Sequence, residues 1–516
     1  MRRLAIAASA LVLAQALTRS ALAFGFEDVA AQARLLATRP YAGAAQPADP
    51  RVRQLNYNAW RLIHFRAPTA LWHAEGRGFE VQWLHAGANH AHPVRLHQLV
   101  DGVERPIVPS IDSFDYGAAF GGAEPPREPD VAGLRVVIPM PGGTGRELIA
   151  FLGSSYFRAP GQGQYGLSAR AIAIDTVAPA KEEFPRFTAY WLEQPTAGAG
   201  ELAILALLDG ERTTGAYRFV IRPGQETVVD VQARLYLRRP VSMFGIAPLT
   251  SMFLSGENQP RMGGFRPEVH DSDGLQIATA AGEWLWRPLV NPRGVMVRRF
   301  PQAQPPLGFG LMQRDRAFSS YEDTEAHYER RPSAWVQPLA GFNAGRVELM
   351  AFETQTEYND NIVAYWVPDA APRPGEPFDA AWRIHWQGDA MQRPPLAWTL
   401  QTRSGHGGAE LKPGEEQFIV DFVGPRLVDL PAGARPKPMV QVVEGPGRVQ
   451  GANVFPNPET GGWRMSVKAM RTDPTKALEL RGVLMHADEV LTETWSYVVP
   501  GADERAAAKA DVVADR

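Results

Sequence analysis

The sequence predicts an all-β chain built as two sandwiches, a large N-terminal one and a smaller immunoglobulin-like one. Three observations carry this. Short runs alternate apolar and polar residues with period two. Glycine (48) and proline (44) interrupt the runs at close intervals. No long amphipathic helix pattern occupies the middle of the chain, and no period of about 20–50 residues repeats, which excludes a propeller or a solenoid.

The elements follow in order. Arg2 and Arg3 open the chain, Leu4 to Leu17 is apolar, and Ala21-Leu22-Ala23 has the small-x-small spacing of a signal-peptidase site. This predicts a signal peptide over residues 1–23, cleaved before Phe24. The apolar run is shorter than the roughly 20 residues a membrane span needs. Phe26, Val29, Ala30, Ala33 and Leu36 recur at helical spacing, so Phe24 to Ala37 is read as a short helix. Strand-like alternation follows at Phe79–Trp83, Arg135–Ile138, Leu202–Leu208, Tyr217–Ile221, Thr227–Val231 and Val347–Phe352.

A polar, proline-rich stretch at 389–396 marks a linker, which ends a first domain over 24–388. Beyond it, Ala397–Gln401, Gln417–Phe422, Pro438–Val443, Gly462–Val467 and Glu493–Val498 alternate within about 100 residues, the size of an immunoglobulin-like sandwich over 397–501. The Ala-rich, charged residues 502–516 form a tail.

Composition narrows the function. The chain has no cysteine, so thiol chemistry is excluded and an exported chain is held by its core alone. Without Arg2, Arg3 and Arg19, the 53 Lys and Arg fall to 50 against 56 Asp and Glu, a net charge of about −6. That argues against a nucleic-acid partner. Thirteen tryptophans suit a sugar cleft, because indole faces stack on the C–H faces of sugars.

The chain lacks a G-x-S-x-G elbow, H-E-x-x-H, a phosphate loop and a dinucleotide fingerprint. His85, His90, His92 and His97 cluster, but Pro93 and their spacing favour separate structural roles over a metal site. No metal and no cofactor is expected. Three other segments stand out. In the first, Glu268, His270, Asp271 and Asp273 precede Trp284, Trp286 and Arg287, and the two tryptophans share one face of a strand. Its Asp-Ser-Asp-Gly start lacks the third acid of a calcium loop. The second carries Tyr321, Glu322, Asp323, Tyr328, Arg331 and Trp335. In the third, Asp360 stands between Asn359 and Asn361, ahead of an apolar strand ending in Trp366. Asparagine neighbours can orient a carboxyl, and an apolar wall raises its pKa. Glycoside cleavage needs two carboxyl groups flanking the bond, and Asp271 and Asp360 are the pair these segments offer.

The same segments resemble the osmoregulated periplasmic glucan biosynthesis proteins of the G and D types. The matching stretches include SSYFRAPGQGQYGLSARAIAIDT (154–176), GIAPLTSMFL (245–254), VHDSDGLQI (269–277), EWLWRPL (283–289), GFGLMQRDRAFSSYED (308–323), RRPSAWVQP (330–338), NDNIVAYW (359–366) and LTETWSY (491–497). They span nearly the whole mature chain. The resemblance implies a galactose-mutarotase-like β-sandwich followed by an immunoglobulin-like domain, and a periplasmic location. It implies work on a β-1,2-glucan backbone as an inverting endo-glucanase or a transglycosylase. In that pattern Asp360 is the general acid and Asp271 the general base. Tyr328 belongs to substrate contact and proton relay. Trp284, Trp286 and Trp335 are then stacking platforms, and Arg287 and Arg331 hydroxyl anchors. Tyr321, Glu322 and Asp323 fall in the cleft segment. The plain signal peptide leans toward the G type. The alternative is a non-catalytic glucan-binding scaffold that assists a membrane glucan synthase. A second copy of the chain is the other protein partner left open.

Overall fold

The computed structural model describes residues 23–140, 145–176, 181–261, 263–388, 392–408, 410–431 and 433–501. Residues 1–22 of the signal-peptide reading, 389–391 of the expected linker and the tail from 502 lie outside them. The chain is 48% strand and 8% helix, so it is all-β.

Two large sheets face each other. A ten-stranded sheet runs in the order 80–85, 131–138, 146–152, 156–159, 167–170, 244–251, 362–368, 345–352 and 295–302, with 172–174 paired to 244–251. The fifteen-stranded sheet opposite contains, among others, 95–100, 186–193, 202–209, 213–222, 227–237, 377–387, 333–340, 308–312, 274–278 and 284–288. Aromatic rings close the space between them. Phe151 and Phe157, from the first sheet, lie 5.0 and 5.2 Å from Phe219 of the second, in the edge-to-face geometry that ring quadrupoles favour.

Period two sorts each strand onto its faces. On Leu202–Asp209, Ile204, Ala206 and Leu208 enter the core between the sheets. Leu205 and Leu207 point the other way and are buried all the same, because the helix Phe26–Ala37 lies across that face. Its Val29, Ala30 and Ala33 bury against them, at the spacing read from the sequence. Its N-terminus is held by Asp28, whose Oδ2 accepts from the Gly25 N–H at 2.8 Å.

The C-terminal strands divide between two sheets. Trp398–Ser404, Glu415–Val423, Gly462–Arg471 and Gly447–Asn457 form a four-stranded sheet in that order. Lys437–Glu444, Leu478–His486 and Thr494–Val499 extend the fifteen-stranded sheet, because Thr494–Val499 runs parallel to Trp284–Pro288 with Trp286 opposite Trp495. Phe418, Val420, Phe422, Met465, Val467, Trp495 and Tyr497 fill the core between them. Buried ion pairs cross the junction as well, Arg287 with Glu479 and Arg314 with Glu493 (2.7 Å). Removing one member of such a pair strands a buried charge, at a cost of about 3–5 kcal/mol. The two parts of the chain are therefore joined by ladder and charge, not by a linker alone.

Candidate active site

The two aspartates singled out in the sequence are placed by consecutive residues. Asp271 follows the two-residue strand Val269–His270, which pairs with Phe253–Ser255. Its backbone N–H donates to the Met252 carbonyl at 2.8 Å. Asp360 sits just ahead of the strand Ile362–Pro368. The next residue, Asn361, is fully buried and clamps Phe253: its Oδ1 accepts from the Phe253 N–H (2.8 Å) and its Nδ2 donates to the Phe253 carbonyl (3.0 Å). Met252 and Phe253 thus fix both acids at one end of the ten-stranded sheet. The asparagines act differently from the sequence expectation. Asn361 orients the backbone, not the carboxyl, and Asn359 reaches Thr356 at 3.4 Å.

The Arg331 charge acts on both acids. Its Nε lies 2.9 Å from Asp271 Oδ1, and its Nη1 donates to the Gly166 carbonyl at 3.0 Å. Its guanidinium packs over the rings of Tyr328 and Tyr165, 5.8 and 5.9 Å from their centroids. Burial pushes the Asp271 carboxyl up, Arg331 pulls it back and the charge of Asp360 raises it again, leaving it at about 6. Asp360 is open to solvent along the cleft, yet protein crowds its carboxyl. Loss of hydration pushes it up, against Arg170 and Arg331. Arg170 is anchored by Glu182 at 2.9 Å and lies over the Tyr156 ring. Tyr156 is itself pushed up to about 12 by burial, and the charge of Asp360 adds to this.

From Tyr156 a groove of about 640 Å³ continues along the outer face of the ten-stranded sheet. Tyr57, Trp60 and Tyr156 supply its aromatic surfaces, and Arg135, Arg158 and Arg186 its planar donors. On the other side of Asp271, His270 is 1% exposed. Its Nε2 meets Glu268 Oε2 at 2.9 Å and its Nδ1 meets Gln313 Oε1 at 3.2 Å. Burial alone would lower its pKa. The bond to Glu268 and the charge of Asp273 outweigh that and raise it to about 9, so the ring is an imidazolium at neutral pH. Glu257, Glu268 and Asp315 converge next to it, within 4.8 Å of one another, and burial with the Glu268 charge pushes Glu257 up to about 8. Protons on His270 and Glu257 relieve this crowding of carboxylates.

The remaining predicted residues separate into two groups. Tyr328 is buried under Arg331. Tyr321 is fully buried, accepts from Gln313 Nε2 at 2.7 Å and donates to the Asp315 carbonyl at 3.0 Å. Asp323 is buried, and Arg266 ties it at 2.5 Å while also holding Glu357 at 2.5 Å. These three brace the wall behind Asp271 and the segment leading to Asp360. Glu322 is exposed and holds a left-handed backbone (φ 50°) at the end of the short helix Phe318–Tyr321.

Trp284, Trp286, Trp335 and Arg287 correct the sequence reading. Trp335 is 4% exposed and stacked on the half-buried Trp284, with ring centroids 5.9 Å apart. Trp286 is buried beneath the Arg314 guanidinium, 3.5 Å from its ring centroid. Arg287 is 1% exposed and spent on Glu479. Trp286, Trp335 and Arg287 are core and Trp284 packs at its edge, because period two sets the two tryptophans on one face and Gly274 and Gly308 clear room for Trp286 and Trp335. A Cβ at Gly308 would lie 2.3 Å from Trp335. Sequence reasoning missed Tyr156, Tyr165 and Arg170, all of which lie inside the matching stretch 154–176.

Comparison with known proteins identifies the family of the chain. The family model described as "Periplasmic glucan biosynthesis protein, MdoG" matches residues 24–499. The chain is 47% identical to glucans biosynthesis protein G of Ralstonia nicotianae, over 96% of this chain and 99% of that one. It is 42% identical to the protein of the same name from Pseudomonas paraeruginosa, over 93% and 94% of the two chains. With that of Pseudomonas putida it shares 41% identity over 90% and 84%. Matches of this length and identity place the chain in the periplasmic glucan biosynthesis protein MdoG family.

Proposed function

We propose that this protein works in the periplasm on the β-1,2-linked backbone of a glucan, as an inverting endo-glucanase or a transglycosylase. The observation that carries the reading is the anchoring of Asp271 and Asp360 on the adjacent residues Met252 and Phe253, with the charge of Arg331 acting on both. Asp360, its carboxyl pKa raised by loss of hydration, protonates the glycosidic oxygen as the bond breaks. Asp271, kept ionised by Arg331, takes the proton from the attacking water or sugar hydroxyl, directly or through intervening hydroxyls. Attack from the face opposite the leaving group inverts the anomeric carbon. The groove lined by Tyr57, Trp60 and Tyr156 receives the chain on one side of the bond. Pure protein incubated with linear β-1,2-glucan should yield shorter or transferred chains of inverted configuration, read by mass spectrometry and anomeric NMR. Unchanged glucan would sink the reading.

A second reading, a glucan-holding scaffold for a membrane synthase, draws on one observation. The edge strand Lys437–Glu444 leaves Met439 and Val443 exposed, at 52% and 43%, an apolar row where a protein partner could add. Products decide between the two, because a scaffold binds glucan and never alters its length.

A further inference from the structure

A polar pocket of about 540 Å³ lies on the other side of the turn that carries Arg331. Four carboxamides line it: Gln162, Gln164, Gln225 and Gln387. Gln387 ends the strand Pro377–Gln387 and is 1% exposed, yet neither its Oε1 nor its Nε2 has a hydrogen-bond partner. Gln164 Oε1 and Glu329 Oε2 are likewise buried without one. Buried polar groups are ordinarily paired, and leaving one unpaired is costly. Three around one pocket mark a surface built for a polar occupant.

The charges indicate which kind. Arg316 and Arg330 are balanced by Glu226 and Glu329. A phosphate would call for surplus cations, and a metal ion for surplus acids. Carboxamides both donate and accept, as sugar hydroxyls do. No aromatic ring is among the lining residues, so a sugar would be held by its hydroxyl edge, not its face.

The pocket also shares a wall with the cleft. Arg316 donates to the carbonyls of Glu329 (3.3 Å) and Arg331 (2.8 Å), while the Arg331 side chain faces Asp271. The loop that carries Gln164 is tied to the same turn, the Tyr165 N–H donating to the Arg330 carbonyl at 3.1 Å. We propose that this pocket is a second glucan subsite, which takes one or two glucose units by their hydroxyls outside the Asp271–Asp360 cleft and braces the turn that holds Arg331. The proposal rests on the glucan reading above.

Calorimetric titration with a β-1,2-linked glucose tetramer tests it, in an Asp360→Asn background so that the ligand stays whole. Two classes of site are expected. Gln387→Leu, and Gln225→Ala at the rim, should weaken one class by at least about tenfold, and Tyr156→Ala should weaken the other. A single class of site, or an isotherm that Gln225→Ala and a folded Gln387→Leu both leave unchanged while Tyr156→Ala still weakens binding, overturns the second subsite and spares the cleft. If Gln387→Leu does not fold, an unchanged isotherm with Gln225→Ala overturns it alone. No tetramer binding at all overturns the glucan reading, and this proposal with it.

Discussion

Arg331 and Asp271 meet at 2.9 Å, Nε to Oδ1, but not along an N–H···O line, so the contact is one of charge and not a hydrogen bond. Asp271 is buried, and its carboxyl is raised by burial and by Asp360. The Arg331 charge is what keeps it able to ionise near neutral pH. Catalysis by the proposed route depends on that balance, since a base must be unprotonated while the acid opposite keeps its proton.

Replacing Arg331 with Met should therefore move the acid limb of the pH–rate profile. Activity falls as pH drops through the Asp271 pKa, about 6 in the native protein. Removing an adjacent cation raises such a pKa by about 1–3 units. The limb should shift upward by at least about one unit in kcat/KM on linear β-1,2-glucan. An unshifted limb would separate Asp271 from the base role.

Asp360→Asn and Asp271→Asn should each lower kcat by about 10²–10⁴, the usual contribution of a positioned acid or base. Both variants should unfold at denaturant concentrations close to the native midpoint, because neither carboxyl takes part in the clamp of Asn361 on Phe253. Release of reducing ends is the measurement. Retained turnover in either variant would remove that residue from the mechanism.

The buried His270 makes stability fall as pH rises. Its folded pKa, about 9, lies above the unfolded value of about 6.5. Its contribution is present in full below about pH 6.5 and is lost as pH climbs through about 9, by at most about 1.4 kcal/mol per pH unit. Glu257, raised to about 8, acts with the same sign over a window that opens lower, above its ordinary value of 4.5. Chemical denaturation of the native protein between pH 6 and 9.5 should show the decline. Glu268→Gln should flatten the His270 part of it, having removed that ring's partner at 2.9 Å. A native protein equally stable across that range would contradict an imidazolium at His270.

How much of this the sequence disclosed depends on how local each cause is. Alternation at Leu202–Leu208 predicts a strand because burial on both faces is written in those residues themselves. The strand Gly447–Asn457 went unread because Gly447, Gly451 and Pro456 interrupt its pattern, which an edge strand tolerates. Asp271 and Asp360 were legible as carboxyls in polar, aromatic-rich segments that match a family. Their common footing on Met252 and Phe253 joins residues 108 apart in the chain, Phe253 and Asn361, and no local pattern records such a contact. Trp284 and Trp286 were placed correctly on one face, but period two does not say whether a face meets core or cleft. Gly274 and Gly308, which make room for Trp286 and Trp335, held that information.

The assignment of Trp335 to the core has a sharp test. A sugar platform replaced by Ala loses affinity and leaves the fold standing. A core indole replaced by Ala leaves a cavity and loses its dispersion contacts, a destabilisation of about 3–5 kcal/mol. Trp335 is 4% exposed, with Trp284 stacked on it and Gly308 against its indole. Trp335→Ala should therefore shift the urea midpoint by that much, while KM for β-1,2-glucan stays within about twofold in the fraction that remains folded. Gly308→Val should act in the same direction by overpacking, at about 1–3 kcal/mol, without touching any surface a sugar could reach. Tyr156→Ala makes the reverse case: a groove residue half-open to solvent, it should raise KM and leave the midpoint near its native value. If Trp335→Ala raised KM and spared stability, the stacked pair would belong to the cleft after all, and the groove beside Asp360 would have to be redrawn around it.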